Sequence, residues 1–198
     1  ELEAAIGLWS RGDFHVQHYY HLVSQVNIEL YAGAALAAFE AMRRAEPGAR
    51  RSLLLKLQPI LVTTLELRAR TALALAFDPP GPGAAASLVR SARRDVRRLL
   101  AERTTYGGAL AMKLQAMLAV LSGRNEEALE CLLRAELTFE ACDMTLHAMA
   151  ARHCRGRLMG CAGTGLRESA EAWMKGQGIR NPGRLAAMHV PLPVLFGA

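Results

Sequence analysis

The sequence predicts an all-α fold, and three observations carry that expectation. Ala (35) and Leu (31) supply one third of the 198 residues. This mixture forms helices readily and is poor in the β-branched and aromatic residues that strands favour. Apolar residues also recur at steps of three and four. Ala128, Leu129, Leu132, Leu133, Ala135 and Leu137 make one such face, with Glu126, Glu127, Glu130, Arg134 and Glu136 filling the other. Finally, one spacing of small and large residues recurs along the chain. With 52% hydrophobic residues the chain can bury a sizeable core.

The elements follow in order. A helix tail is expected over 2–9, then a turn at Arg11-Gly12-Asp13. Helices are expected at about 14–32, 34–46, 49–76, 84–103, 108–122, 124–141, 143–160 and 165–177, and a short last one at 182–189. The breaks between them are Gly33, Pro47-Gly48, the Pro/Gly linker 78–83, Tyr106-Gly107-Gly108, Ser122-Gly123, the 160–165 stretch and Asn181-Pro182-Gly183. Pro59 lacks a backbone donor, so a kink or a junction of two helices is expected near Gln58. Asn181 with Pro182 behind it reads as a helix start.

The repeat is the most specific of these signals. Gly33, Ala38, Met42 and Ala45 share their spacing with Gly123, Ala128, Leu132 and Ala135. Gly165, Ala170 and Met174 repeat most of it, with Gln177 in the last place. A glycine ends one helix, a small residue lets the next approach closely, and a large residue one turn later fills the gap. That is what the second helix of a tetratricopeptide-type hairpin needs. The turn at Gly83 is the remaining member, without the small-residue pattern. The unit is longer than the roughly 34-residue tetratricopeptide repeat. The expected architecture is a single domain over 1–198. It holds about four α-hairpins stacked as a right-handed solenoid, with turns near 33, 83, 123 and 165, plus the short C-terminal helix.

Bulk chemistry narrows the function. The net charge is +6, and Arg outnumbers Lys 21 to 3. Cys131, Cys142, Cys154 and Cys161 show no C-x-x-C spacing, so they read as reduced core thiols of a cytoplasmic protein. The longest apolar stretches, near 53–65 and 185–198, are short and broken by Lys56, Gln58 and Pro59, or by Pro191 and Pro193, so no membrane span is expected. The acidic start is unlike a signal peptide, and the lack of an initiator Met reads as a piece of a longer chain.

The phosphate-loop, dinucleotide, nucleophile-elbow, zinc-protease and kinase motifs are absent, so no catalytic residue, metal or cofactor is assigned. His15, His18 and His21 spread over too wide an arc for one metal and read as half-buried polar groups beside Tyr19 and Tyr20. His147, Cys154 and Cys161 step by seven and read as a core seam. Arg90, Arg93, Arg94, Arg97 and Arg98 form the most suggestive polar feature, five guanidinium groups on one helical face interrupted by Asp95. An acidic partner would relieve their mutual repulsion. These five, with His15, His18 and Tyr19, are the candidate partner-binding residues.

Several runs together carry a resemblance. They include Leu8-Trp9-Ser10, the stretch from Gly12 to Tyr19, Glu29-Leu30-Tyr31-Ala32-Gly33, Arg51-Ser52-Leu53-Leu54-Leu55 and the stretch from Glu66 to Leu73. Phe139-Glu140-Ala141-Cys142-Asp143-Met144, Ala150-Ala151-Arg152 and the stretch from Trp173 through Gln177-Gly178-Ile179 to Asn181-Pro182 complete the set. The chain resembles the C-terminal tetratricopeptide-like region of large bacterial serine/threonine protein kinases of the myxobacterial type. In these an AAA or signal-transduction ATPase domain follows the kinase domain. The resemblance implies a regulatory scaffold and no catalysis in these 198 residues.

Three functions are then expected in order. The first is a protein-interaction solenoid whose concave groove takes a peptide, a helix or another domain of the parent chain. Its groove is lined by first helices such as 15–30 and 53–71, and its Trp9 end is exposed for self-association. The second is a basic nucleic-acid or transcription-linked module, disfavoured because the arginine stripe lacks aromatic stacking partners. The third is an enzyme or ligand-binding bundle.

Overall fold

The computed structural model describes residues 14–193, together with Ile6. The expected 2–9 helix, the 11–13 turn and the Trp9 end lie outside these residues, Ile6 excepted. The described residues form nine α-helices and no strand. They are α1 (Val16–Ala32), α2 (Ala35–Arg51), α3 (Gln58–Phe77), α4 (Ala84–Ala101), α5 (Thr105–Leu121), α6 (Asn125–Ala141), α7 (Thr145–Leu158), α8 (Thr164–Gly176) and α9 (Pro182–His189). Short 3-10 turns at Leu53–Lys56 and Gly160–Gly163 precede α3 and α8.

Each helix packs on its neighbour in sequence, so α1–α2, α3–α4, α5–α6 and α7–α8 are paired. The first helices also meet one another: α3 touches both α1 and α5. Burial follows this layering. From Thr64 to Ala76, α3 exposes little but Arg68, and α5 is similarly enclosed. A helix covered on several sides needs apolar residues nearly all round, not in a stripe. The second helix α4 keeps a stripe, burying Leu88, Ala92, Val96 and Leu99.

The repeated spacing has a direct structural meaning. Ala38, Ala128 and Ala170 have no exposed surface, and Met42, Leu132 and Met174 are buried one turn later. Gly33 and Gly123 turn with positive φ (82° and 71°), a conformation that costs glycine little. In α4 the same offsets from Gly83 hold Leu88 and Ala92, both buried, so the large residue comes first and the small one second.

Four expected breaks shift. Pro47-Gly48 does not end α2, which continues to Arg51. Buried Ala49 and the Glu46–Arg50 pair anchor the turn that the proline weakens. Gly107 and Gly108 lie inside α5, because Thr104 caps its start and accepts the Gly107 amide at 3.2 Å. Gly165 lies within α8, and the turn before that helix is 160–163. The expected 49–76 helix is two elements, and α3 begins at Gln58 with Pro59 in its first turn.

At the α7–α8 junction glycine is required for contact. A Cβ on Gly156 would stand 2.7 Å from the Gly163 carbonyl oxygen and 2.9 Å from the Arg167 amide nitrogen. A Cβ on Gly163 would strike the Gly156 carbonyl. Gly156 is thus a helix-interior glycine retained for backbone-to-backbone packing.

Candidate functional site

The arginine face is as expected in outline. Arg90, Arg93, Arg94, Arg97 and Arg98 all lie on the exposed side of α4. Among the described residues none is ion-paired with a carboxylate, and Arg94 donates to Ser91 Oγ at 3.2 Å. Asp95 takes the opposite side. It is 1% exposed, and Arg68 of α3 donates to its Oδ2 at 3.1 Å. Burial raises the Asp95 pKa, while Arg68, Arg94 and Arg98 oppose the rise. Arg68 also reaches Glu46 of α2 at 3.1 Å. One guanidinium therefore ties three helices together and consumes the only acid within the arginine run. Buried Glu136 of α6 is engaged elsewhere, clamped by Arg152 (2.6 Å) and Arg155 (2.7 Å) of α7.

The second expected cluster divides. His18 Nδ1 accepts the His15 backbone amide at 3.1 Å, the reach-back contact of a capped helix start. Tyr19 does not face a partner. It is 6% exposed and turns toward Thr63 and Thr64 of α3, and burial raises its phenol pKa against those hydrogen bonds. A residue three beyond the N-cap caps the helix, and its neighbour points into the α1–α3 seam.

The cysteine expectation needs correction. All four thiols are free, but only Cys154 is buried; Cys131 and Cys142 are half-buried and Cys161 is exposed. The seven-residue seam stops because α7 ends at Leu158 and Cys161 lies in the following 3-10 turn. Among the described residues no three His, Cys, Asp or Glu side chains converge as metal ligands.

The largest concentration of buried charge lies apart from the candidate residues of the sequence. Glu66 and Arg70 of α3 and Lys113 of α5 meet in the interior, with Glu66 Oε1 at 2.7 Å from Lys113 Nζ and 3.1 Å from Arg70 Nε. Burial would raise the Glu66 pKa, but Arg70 and Lys113 outweigh it and hold the carboxyl below its usual range. Burial lowers Lys113 to about 8, with Glu66 opposing. Two cations against one anion leave an excess positive charge. It faces His147 of α7 and His189 of α9, whose rings lie 4.6 Å apart. Burial first, then Lys113, lowers His147 to about 4 and holds His189 well below 6.5. Both imidazoles are neutral near pH 7. The signal for this cluster was Lys113, a lone cation in an otherwise apolar helix.

The cluster lies under α9. This helix packs on α1, α7 and α8, and Arg70 Nη1 donates to the Met188 carbonyl at 2.9 Å. The face of first helices expected to receive a peptide is therefore covered here by the chain's own C-terminal segment.

No family model, curated protein or solved structure matches this chain. No helix among the described residues is long and apolar enough to cross a membrane.

Proposed function

We propose that this chain is a non-catalytic interaction region, tetratricopeptide-like in plan, of a larger bacterial serine/threonine kinase–ATPase signalling protein in the cytoplasm. The kinship rests on the sequence runs quoted above. The observation that carries the interaction role is the α4 face, where five exposed arginines form no ion pair with a carboxylate among the described residues and the one acid of the run is turned inward. Paired basic surfaces contribute little, but an uncompensated one attracts acidic partners and speeds their encounter. An acidic protein surface suits it best, because bidentate guanidinium groups match carboxylates and α4 offers no aromatic side chain to stack on bases.

Anisotropy titrations test this with a labelled acidic peptide and a labelled DNA duplex at low salt. The peptide is expected to bind, and Arg93→Glu with Arg97→Glu to weaken it about tenfold or more, ~1.4 kcal/mol. Absence of peptide binding, or a preference for the duplex, removes the reading.

A further inference from the structure

The occupant of the first-helix face shows what that face accepts. α9 ends over Arg70, and the Met188 carbonyl that Arg70 caps belongs to the last turn, where a helix leaves its acceptors unused. A guanidinium there also meets the negative end of the helix dipole. The second Nη of Arg70 is held by Asn27 Oδ1 of α1 at 2.7 Å, so the capping group is pre-oriented. Ala186 is fully buried, with the Cys154 Sγ of α7 3.9 Å from its carbonyl and 3.7 Å from that of Val190. A larger side chain at this fully buried position would have to displace its neighbours.

The fit is nevertheless imperfect. His189 is 8% exposed, and neither of its ring nitrogens has a hydrogen-bond partner. It faces His147, Glu66, Arg70 and Lys113, a net positive group that cannot stabilise its protonated form. The helix has only eight residues and hangs on the connector 177–181, which turns through Gly178 at φ 79°. Next to its exit a cleft of about 620 Å³, bordered by Leu30, Ala74, Phe77 and Leu192, continues the face beyond α9.

We infer that this face is a binding site for the carboxyl end of a helix, that α9 is its intramolecular stand-in, and that a partner helix of the same chemistry displaces it. Such a helix carries a small residue at the place of buried Ala186 and offers a carbonyl of its last turn to Arg70. The inference rests on the interaction reading proposed above, but it concerns a different surface from the α4 arginines.

Cys154 reports the state of the seat, because α9 covers its thiol, while exposed Cys161 supplies an internal reference. Alkylation by iodoacetamide, read residue by residue by mass spectrometry on the full chain, is the experiment. In the wild type Cys154 is expected to react at least a hundredfold more slowly than Cys161. Its rate should rise in urea before the helical circular dichroism falls. Ala186→Glu should raise the Cys154 rate at least tenfold with helicity retained. A peptide with the sequence of residues 180–193 should restore protection, and the same peptide carrying Ala186→Glu should not. If Ala186→Glu unfolds the chain, the wild-type urea series decides, with the peptide added where Cys154 reacts before global unfolding. Cys154 labelling that only ever tracks global unfolding overturns the inference, because α9 is then permanent core. Release without protection by the peptide overturns it too, while leaving acidic-peptide binding at α4 unaffected. Peptide protection with no acidic-peptide binding does the reverse.

Discussion

Lys113 is 1% exposed, and its charge is tolerable only because Glu66 lies 2.7 Å away. Removing one member of a buried pair leaves the other without compensation, at about 3–5 kcal/mol. Glu66→Gln is accordingly expected to destabilise the chain by that amount, because it strands both Lys113 and Arg70. Urea denaturation measures it, and Glu66→Gln combined with Lys113→Met should recover a large part of the loss. The two histidines set a pH dependence of definite sign. Folding lowers both pKa values from 6.5, His147 to about 4. The unfolded chain therefore takes up protons near pH 6.5, where the folded chain does not. Their contribution is complete above pH 6.5 and is lost as pH falls below it, for His147 down to about 4, by up to about 1.4 kcal/mol per pH unit for each group. Melting at pH 7.5 and 5.5 should show the fall, and His189→Leu should flatten it. Tyr19 shows why single residues are hard to place from sequence. An aromatic beside two histidines looks like part of a surface cluster, yet its helical phase turns it onto α3.

At the scale of the element, helix content and order were legible because they follow from local period and capping. The 182–189 helix and the α3 start at Gln58 answer to Asn181, Pro182 and Pro59, residues that act on their own backbone. The misplaced breaks share one feature. Pro47, Gly107, Gly108 and Gly165 are weak helix residues that helices nevertheless include, at Gly107 and Gly108 because Thr104 caps the turn they occupy. Gly156 and Gly163 are held in place by contact. Gly163→Ala should force α7 and α8 apart at about 1–3 kcal/mol or more, because the atom met is backbone and cannot rotate away. Thermal melting reads this, and Gly165→Ala, whose Cβ meets nothing within 4 Å, is the near-neutral control. The small-residue positions Ala38, Ala128 and Ala170 were legible in advance because a recurring spacing records a recurring contact.

For the whole molecule, the distribution of charge separates a fixed interior from an available surface. Arg68 joins α2, α3 and α4 through Glu46 and Asp95, and Glu136 joins α6 and α7 through Arg152 and Arg155. Among the described residues the five α4 arginines have no such partner, so raising salt should weaken acidic-peptide binding while the melting temperature changes little. A measurement of both at low and high salt checks the separation. Composition and period alone established the helical class, the order of the helices, the close-packed alanines and the basic stripe, because each is a relation between residues near one another in the chain. The Glu66–Arg70–Lys113 cluster with His147 and His189, the inward turn of Asp95 and the seating of α9 were decided only by the tertiary structure. They join residues as far apart as Arg70 and Met188, and no local pattern encodes which distant side chain will neutralise a buried charge or cap a helix end.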